Sequence, residues 1–323
     1  MSAGLLVLVA WLDALAGDPR WLPHPVRAIG ATIAACEQTI RRTCRSPMAL
    51  RLAGVVLALF LPMLVYIVAM WTLTVAAVLW PFLALVLSVL LAWTTVAARD
   101  LWDHVRAVSD ALAAGELDLA RQALSLIVGR DTQSLDEPQI VRATIETLAE
   151  STADGIVAPL LHLAIGGPAL ALAYKTVNTL DSMVGHREEP YRDLGWASAR
   201  LDDALNWVPS RLTAFAIGLA AGWVRGGSEP VLGSWRTTLR DGGNHPSPNS
   251  GRPEAAMAGA LAVQLGGVNW YDGVPHERPS LGDAVRPLDL QTLDEAMRVM
   301  AATSLIVLAL AVLVMRVWTG SWW

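Results

Sequence analysis

The chain has 323 residues, 54% of them hydrophobic and only 16% charged, with a mean hydropathy of +0.43. Soluble domains carry about 25% charged residues, so an ordinary soluble domain is excluded and an integral membrane protein is implied. A net charge of −5 gives nothing to attract nucleic acid. The two cysteines, Cys36 and Cys44, form no CxxC pair and imply neither a disulfide framework nor a zinc site.

The first expected element is a short apolar helix over 3–16. It has some likeness to a signal peptide ending Ala14-Leu-Ala16, but no basic residue precedes the apolar run, and cleavage would free the Gly17-Asp-Pro segment. A retained helix is therefore expected. Residues 17–51 carry Arg20, Arg27, Arg41, Arg42, Arg45 and Arg51, which the positive-inside rule places in the cytoplasm. Gly17-Asp-Pro-Arg20 and His24-Pro-Val-Arg27 read as a loop near the membrane. Between Arg51 and Arg99 there is no Asp, Glu, Lys or Arg. One span needs roughly 20 apolar residues, so spans over 53–72 and 78–98 are expected, joined by a turn near Trp71 to Pro81. Trp71, Trp80, Trp93, Trp223 and Trp318 lie near the ends of apolar stretches, as interfacial belts do. Leu101, Val105, Val108 and Leu112, then Leu117, Ala120, Leu124 and Ile127 beyond Gly115, predict a soluble helical hairpin over 99–128.

Arg142, Glu146, Glu150 and Asp154 follow at i, i+4 spacing, a stripe on one helix. Like charges at that spacing repel, so the row calls for a compensating hard cation such as Mg²⁺, unless it is a solvated face with Arg142 as partial neutraliser. The uncharged stretch 155–174 is broken by Gly166-Gly-Pro168. It reads as re-entrant or kinked around a buried site, or as an ordinary tilted span. Directly after it comes Lys175, the only lysine in the chain, among Asn178, Asp181 and Ser182. An ammonium is a compact three-donor point charge that arginine does not replace. The rival reading is a composition bias that left one lysine. Asp202, Asp203 and Asn206 precede another short apolar stretch, 207–224, expected to be re-entrant or a tilted span. Asp241-Gly-Gly-Asn-His-Pro-Ser-Pro-Asn-Ser-Gly251, flanked by Arg240 and Arg252, is a loop by composition and offers an anion nest. A last span is expected over 299–317, with Leu305 to Met315 as its apolar core. No period-2 strand, internal repeat, GxxxxGK[ST], HExxH or GxSxG is present. The expected fold is all-α: a polytopic integral membrane protein with cytoplasmic helical and loop segments, forming a single membrane-embedded domain over 1–323.

One set of segments carries a resemblance: Gly17-Asp-Pro, His24-Pro-Val, Gly129-Arg-Asp-Thr132, Glu150 through Asp154-Gly155, and Tyr174-Lys175 with Asn178-Thr-Leu-Asp-Ser-Met183. Asp202-Asp203 with Asn206, His245 with Ser247-Pro-Asn-Ser-Gly251, and Arg278-Pro with Leu281-Gly282 complete it. In this order, from about residue 4 to residue 315, the chain resembles the adenosylcobinamide-phosphate synthase family, membrane enzymes of cobalamin (vitamin B12) biosynthesis. His186-Arg187 stands where the family pattern has Tyr-Lys, which bears on that small patch alone. The resemblance implies an ATP-dependent, amide-forming carbon–nitrogen ligase. It joins a propionate carboxylate of adenosylcobyric acid to the amine of (R)-1-amino-2-propanol phosphate, or of a relative such as ethanolamine phosphate. ATP and Mg²⁺ would be required, because carboxylate activation gathers negative charge on phosphoryl oxygens. The residues implied as catalytic are Lys175, Asp181, Asp202 and Asp203, with Lys175 toward the activated carboxylate or γ-phosphate and one of Asp202 and Asp203 as base. Those implied for the metal are Glu146, Glu150 and Asp154, with Asp181 also toward it. Those implied for substrate and phosphate are Arg20, His24, Arg27, Arg130, Asp131, Asn178, Ser182, Asn206, Arg240, His245, Ser247, Asn249 and Ser250. The implied setting is the inner cell membrane, with the site facing the cytoplasm and with membrane lipid, the corrinoid, the amino alcohol phosphate and other late cobalamin-pathway enzymes as partners. Two other classes fit charged residues at membrane depth: a transporter or carrier of a corrinoid or other anionic small molecule, and a non-catalytic scaffold for a pathway enzyme.

Overall fold

The structure, a computed structural model, describes residues 2–19, 23–186 and 188–319. Arg20 and Arg187 lie outside the described residues. The chain runs α1 (Ala3–Ala16), α2 (Pro25–Thr43), α3 (Pro47–Leu79), α4 (Pro81–Trp93), α5 (Ala98–Ala113), α6 (Leu117–Ser125) and α7 (Glu137–Thr152). A π-helical turn, Ala153–Val157, leads into α8 (Ala158–Val184). There follow α9 (Trp196–Leu205), α10 (Trp207–Arg225), α11 (Glu229–Asp241), α12 (Gly251–Leu261), a hairpin of β1 (Leu265–Tyr271) and β2 (Val274–Leu281), and α13 (Leu290–Thr319). Among the described residues four helical runs are long and apolar enough to cross a membrane: Pro47–Leu79, Pro81–Ala113, Glu137–Val184 and Leu290–Val317. Ala3–Ala16 is a shorter apolar helix, and α10 is not among the four. The fold is that of an all-α polytopic membrane protein with one small hairpin.

Two compact units form, one from Met1–Ala97, Ala158–Asn206 and Leu310–Trp323, the other from Ala98–Val157 and Trp207–Ala309. In the first, Ile29 and Ile33 of α2, Leu57 and Leu61 of α3, and Leu180 and Val184 of α8 share one core. Helix α3 starts at a Ser46 cap, whose hydroxyl accepts from Ala49 N at 3.2 Å. It then runs to Leu79, and the turn expected between Trp71 and Pro81 is confined to the far end of that stretch. The break comes only at Trp80, held extended at φ −163°, because Pro81 both lacks an N–H and disfavours helical geometry in the residue before it. Helix α8 is interrupted at Gly167, whose φ of 68° and ψ of −163° leave the helical region. Gly tolerates that conformation and Pro168 cannot close the ladder across it, so the expected kink is present.

In the second unit α5 and α6 form the expected hairpin around Gly115. Helix α7 is started by Asp136 and Gln139, a reciprocal capping box. Helix α12 is almost wholly buried, with Ala255, Ala256, Met257, Ala258, Ala260 and Leu261 all inaccessible between α10 and α11. The β-hairpin departs from the sequence expectation. Its turn is Asp272-Gly273, at φ 50° and 75°, the left-handed pair that a tight two-residue hairpin turn demands.

Candidate active site

The expected site residues divide between the two units, and each unit builds its own polar cluster. In the first, α8 and α9 enclose a chain of hydrogen bonds. Tyr174 OH donates to Asn206 Oδ1 (2.9 Å), and Asn206 Nδ2 donates to Asp202 Oδ2 (2.9 Å). Asn178 Nδ2 donates to the other carboxylate oxygen, Asp202 Oδ1 (3.4 Å), and Lys175 Nζ donates to Asn178 Oδ1 (3.4 Å). Tyr174, Asp202 and Asn206 are buried and Lys175 is half-buried. Lys175, Asn178, Asp202 and Asn206, read separately from the sequence, are thus one connected group. Ser182 turns its hydroxyl back to Asn178 O (2.8 Å). Asp203 lies 3.7 Å from Arg200, and Asp181 sits one turn before the end of α8. His24 stands just before α2 without a side-chain cap bond and contacts Asp18 at 3.0 Å, while Arg27 is an exposed residue of α2.

In the second unit the loop before α12 folds onto α7. Ser250 Oγ donates to Glu150 Oε1 (2.7 Å), joining two motifs a hundred residues apart in sequence. Ser247 Oγ accepts from the backbone N–H groups of Asn249 (3.3 Å) and Ser250 (3.2 Å), which orders the loop. His245 lies between two donors: Ser247 N at 3.0 Å from Nδ1 and Arg278 Nη1 at 2.9 Å from Nε2. Burial pushes the His245 ring below the usual histidine range and the Arg278 charge adds to this, against a smaller pull from Glu150. Glu254 Oε1 lies 3.9 Å from His245 Nε2 on the same side as Arg278. Arg278 Nη2 donates to Tyr271 OH (2.9 Å). Behind them Glu254 of α12 is fully enclosed. Burial first, then the Glu146 and Glu150 carboxylates, hold its carboxyl well above the usual range, despite Arg278 and Arg130.

Several expectations change in this setting. Glu146, expected to be a metal ligand, has both oxygens committed: Oε2 to Arg130 at 2.7 Å and Oε1 to Gly266 N at 2.8 Å. Arg130 also donates to Asn269 Oδ1 (2.8 Å). Arg142 donates to the carbonyls of Gly266 and Val268. Asp131 accepts from Gly273 N at the hairpin turn (2.8 Å). These four residues anchor the β-hairpin, which is where Arg130 and Asp131 are held. Asn249 is buried against Ser210 (3.3 Å), and Arg240 is spent on Asp241 and Asp283. Among the described residues no group of three or more His, Cys, Asp or Glu side chains is arranged to hold a metal ion. The other carboxylates of the stripe are Glu150, which accepts from Ser250, and Asp154, and magnesium commonly takes only one or two carboxylates beside phosphate oxygens and water. Sequence reasoning gave no role to Tyr174, Glu254, Asn269, Tyr271 or Arg278. For Glu254 the available signal was its place four residues after Ser250, on the same face of a helix start.

A helical, polytopic membrane protein with two buried polar clusters is the class that fold and site define. The chain belongs to the CobD/CbiB family, whose model, CobD/Cbib protein, matches residues 6–300. It is 48% identical over 319 residues to the cobalamin biosynthesis protein CobD of Geobacter metallireducens, covering 97% of each chain. It is 46% identical over 303 residues to the protein of the same name from Klebsiella pneumoniae, covering 94% of each. It is 42% identical over 308 residues to the cobalamin biosynthesis protein CbiB of Salmonella typhimurium, covering 94% of this chain and 95% of the relative. No solved structure matches the chain.

Proposed function

We propose that this protein acts in cobalamin biosynthesis as an ATP-dependent amide ligase, joining adenosylcobyric acid to (R)-1-amino-2-propanol phosphate or a related amino alcohol phosphate. The observation that carries the reading is the near full-length likeness to relatives named for cobalamin biosynthesis. In the reaction a propionate oxygen takes the γ-phosphoryl group of ATP and ADP leaves. The amine nitrogen then bonds to the acyl carbon as the carbon–oxygen bond to phosphate breaks, and the ammonium protons pass to a base and to solvent. Lys175 meets the charge on the activated carboxylate. Asp202, which accepts from an amide on each oxygen, or Asp203 beside it takes the role of base. Glu150 and Asp154 are the residues that would hold Mg²⁺ arriving with the nucleotide. When bound, the ion neutralises phosphoryl charge. The Arg278 guanidinium beside His245 supports an anion there, and the loop's internal bonds lower the ordering cost of gripping the amino alcohol phosphate.

The test is turnover by purified protein in detergent with adenosylcobyric acid, ATP, Mg²⁺ and aminopropanol phosphate, read by mass spectrometry of the corrinoid. An amide product with stoichiometric ADP is expected. Corrinoid uptake into sealed vesicles with no product would favour the carrier reading instead. Lys175→Arg should insert normally yet lose at least about 10²-fold in rate, the cost of removing one transition-state donor. Turnover near wild type in that variant would end the catalytic assignment.

A further inference from the structure

Tyr174 and Lys175 are neighbours on α8, so their side chains leave the helix about 100° apart and do not meet directly. Their hydroxyl and ammonium are nevertheless joined by one hydrogen-bonded chain that runs through α9 and back. The polarity of that chain is fixed from its middle. A carboxylate only accepts, so the Asp202 oxygens require the NH₂ groups of both Asn178 and Asn206 to face inward. Both amide carbonyls must then face outward, and each needs a donor. Tyr174 OH supplies one and Lys175 Nζ the other. The Tyr174 end is itself fixed: its ring stacks on His162 at 4.4 Å and 18°, and His162 Nδ1 is held at 2.8 Å from Ala158 O. The chain therefore has a rigid end and a working end.

We propose that Tyr174 is a positioning residue for Lys175, acting through Asn206, Asp202 and Asn178, with Asp202 as the acceptor that orients both amides. The proposal deepens the ligase reading by saying what holds its ammonium, but its first test needs no turnover. Lys175 is the only lysine in the chain, so acylation of an ε-amine reports this position alone. The labelling rate of the peptide carrying Lys175 is followed by mass spectrometry in the full-length protein in detergent at fixed pH. Asn178→Ala cuts the chain next to the ammonium, and Tyr174→Phe removes only the remote hydroxyl. Each should speed labelling by at least about 3-fold, a modest coupling for one shared network. The double variant should be no faster than the quicker single one. In the ligase assay Tyr174→Phe should lower kcat by roughly 10-fold to 10²-fold with KM values held, as misplacement of a catalytic group does. Labelling that responds to Asn178→Ala but not to Tyr174→Phe would overturn the proposal, as would full additivity in the double variant. If Tyr174→Phe does not fold, Asn206→Ala breaks the same chain three links from Lys175 and carries the same expectation. Coupled labelling in a protein with no ligase turnover would sink the ligase reading and leave the positioning role standing.

Discussion

Glu254 has its carboxyl held well above the usual range by its surroundings, although it sits in the first turn of α12, where the helix dipole favours a negative charge. Desolvation outweighs the dipole, and the Glu146 and Glu150 charges act in the same direction. A carboxyl whose folded pKa lies above its unfolded value gives full stability at low pH. That stability is lost as pH rises from the unfolded value of 4.5 toward the raised folded one. Glu254→Gln keeps the neutral shape and removes the titration. The variant is expected to gain on wild type in Tm as pH rises from 5 to 8 (roughly the span over which carboxyl linkage is felt). Parallel Tm curves in circular-dichroism melts would show that Glu254 is charged in the folded state. At the same scale, Lys175 was legible because a single lysine among arginines stands out by chemistry. Glu254 was not, since its one local signal, the four-residue spacing from Ser250, does not separate a buried glutamate at a helix start from an exposed one.

At the scale of elements, the β-hairpin shows why part of the site was hidden from the sequence. Its strands do not alternate apolar and polar residues, because the hairpin is held by charged groups of α7 and of the segment before it instead of by an apolar face. Arg142, Glu146 and Arg130 bind its backbone and Asn269. The only strand signal was Asp272-Gly273. The carboxylate row therefore splits into two jobs, which two variants separate. Glu146→Ala leaves Arg130 facing no carboxylate in a buried setting, a change that typically costs about 3–5 kcal/mol. A large drop in Tm is expected, with the Mg²⁺ dependence of the remaining activity unaltered. Glu150→Gln and Asp154→Asn should leave Tm nearly unchanged and raise the Mg²⁺ concentration needed for half-maximal rate. If all three variants titrate with Mg²⁺ as wild type does, the row holds no metal and serves the hairpin and loop alone.

Across the whole molecule, the membrane-spanning segments were legible where charge is absent and blurred where helices outrun the bilayer. Helix α3 has 33 residues, which at about 1.5 Å each exceeds a hydrocarbon core of about 30 Å. Hydropathy alone therefore could not place its end, and Pro81 did. The run Glu137–Val184 is 48 residues long, because the capped α7 continues through the π turn into α8, so the expected segment 155–174 is the middle of a helical run and not a separate element. Sidedness rests on arginine. The positive-inside rule, applied to Arg27, Arg41, Arg42, Arg45 and Arg51, predicts a cytoplasmic side for that segment. In a background with Cys36 and Cys44 replaced, single cysteines at Ser125, Ser182 and Asn244, all exposed positions, give the test. An impermeant thiol reagent is expected to leave all three unlabelled in intact cells and to label them after the inner membrane is opened. Labelling of Ser182→Cys from outside would mean that the stretch kinked at Gly167 crosses the membrane completely. Lys175 would then work on the far side from the α5–α6 hairpin, and the substrates would have to be drawn from that side.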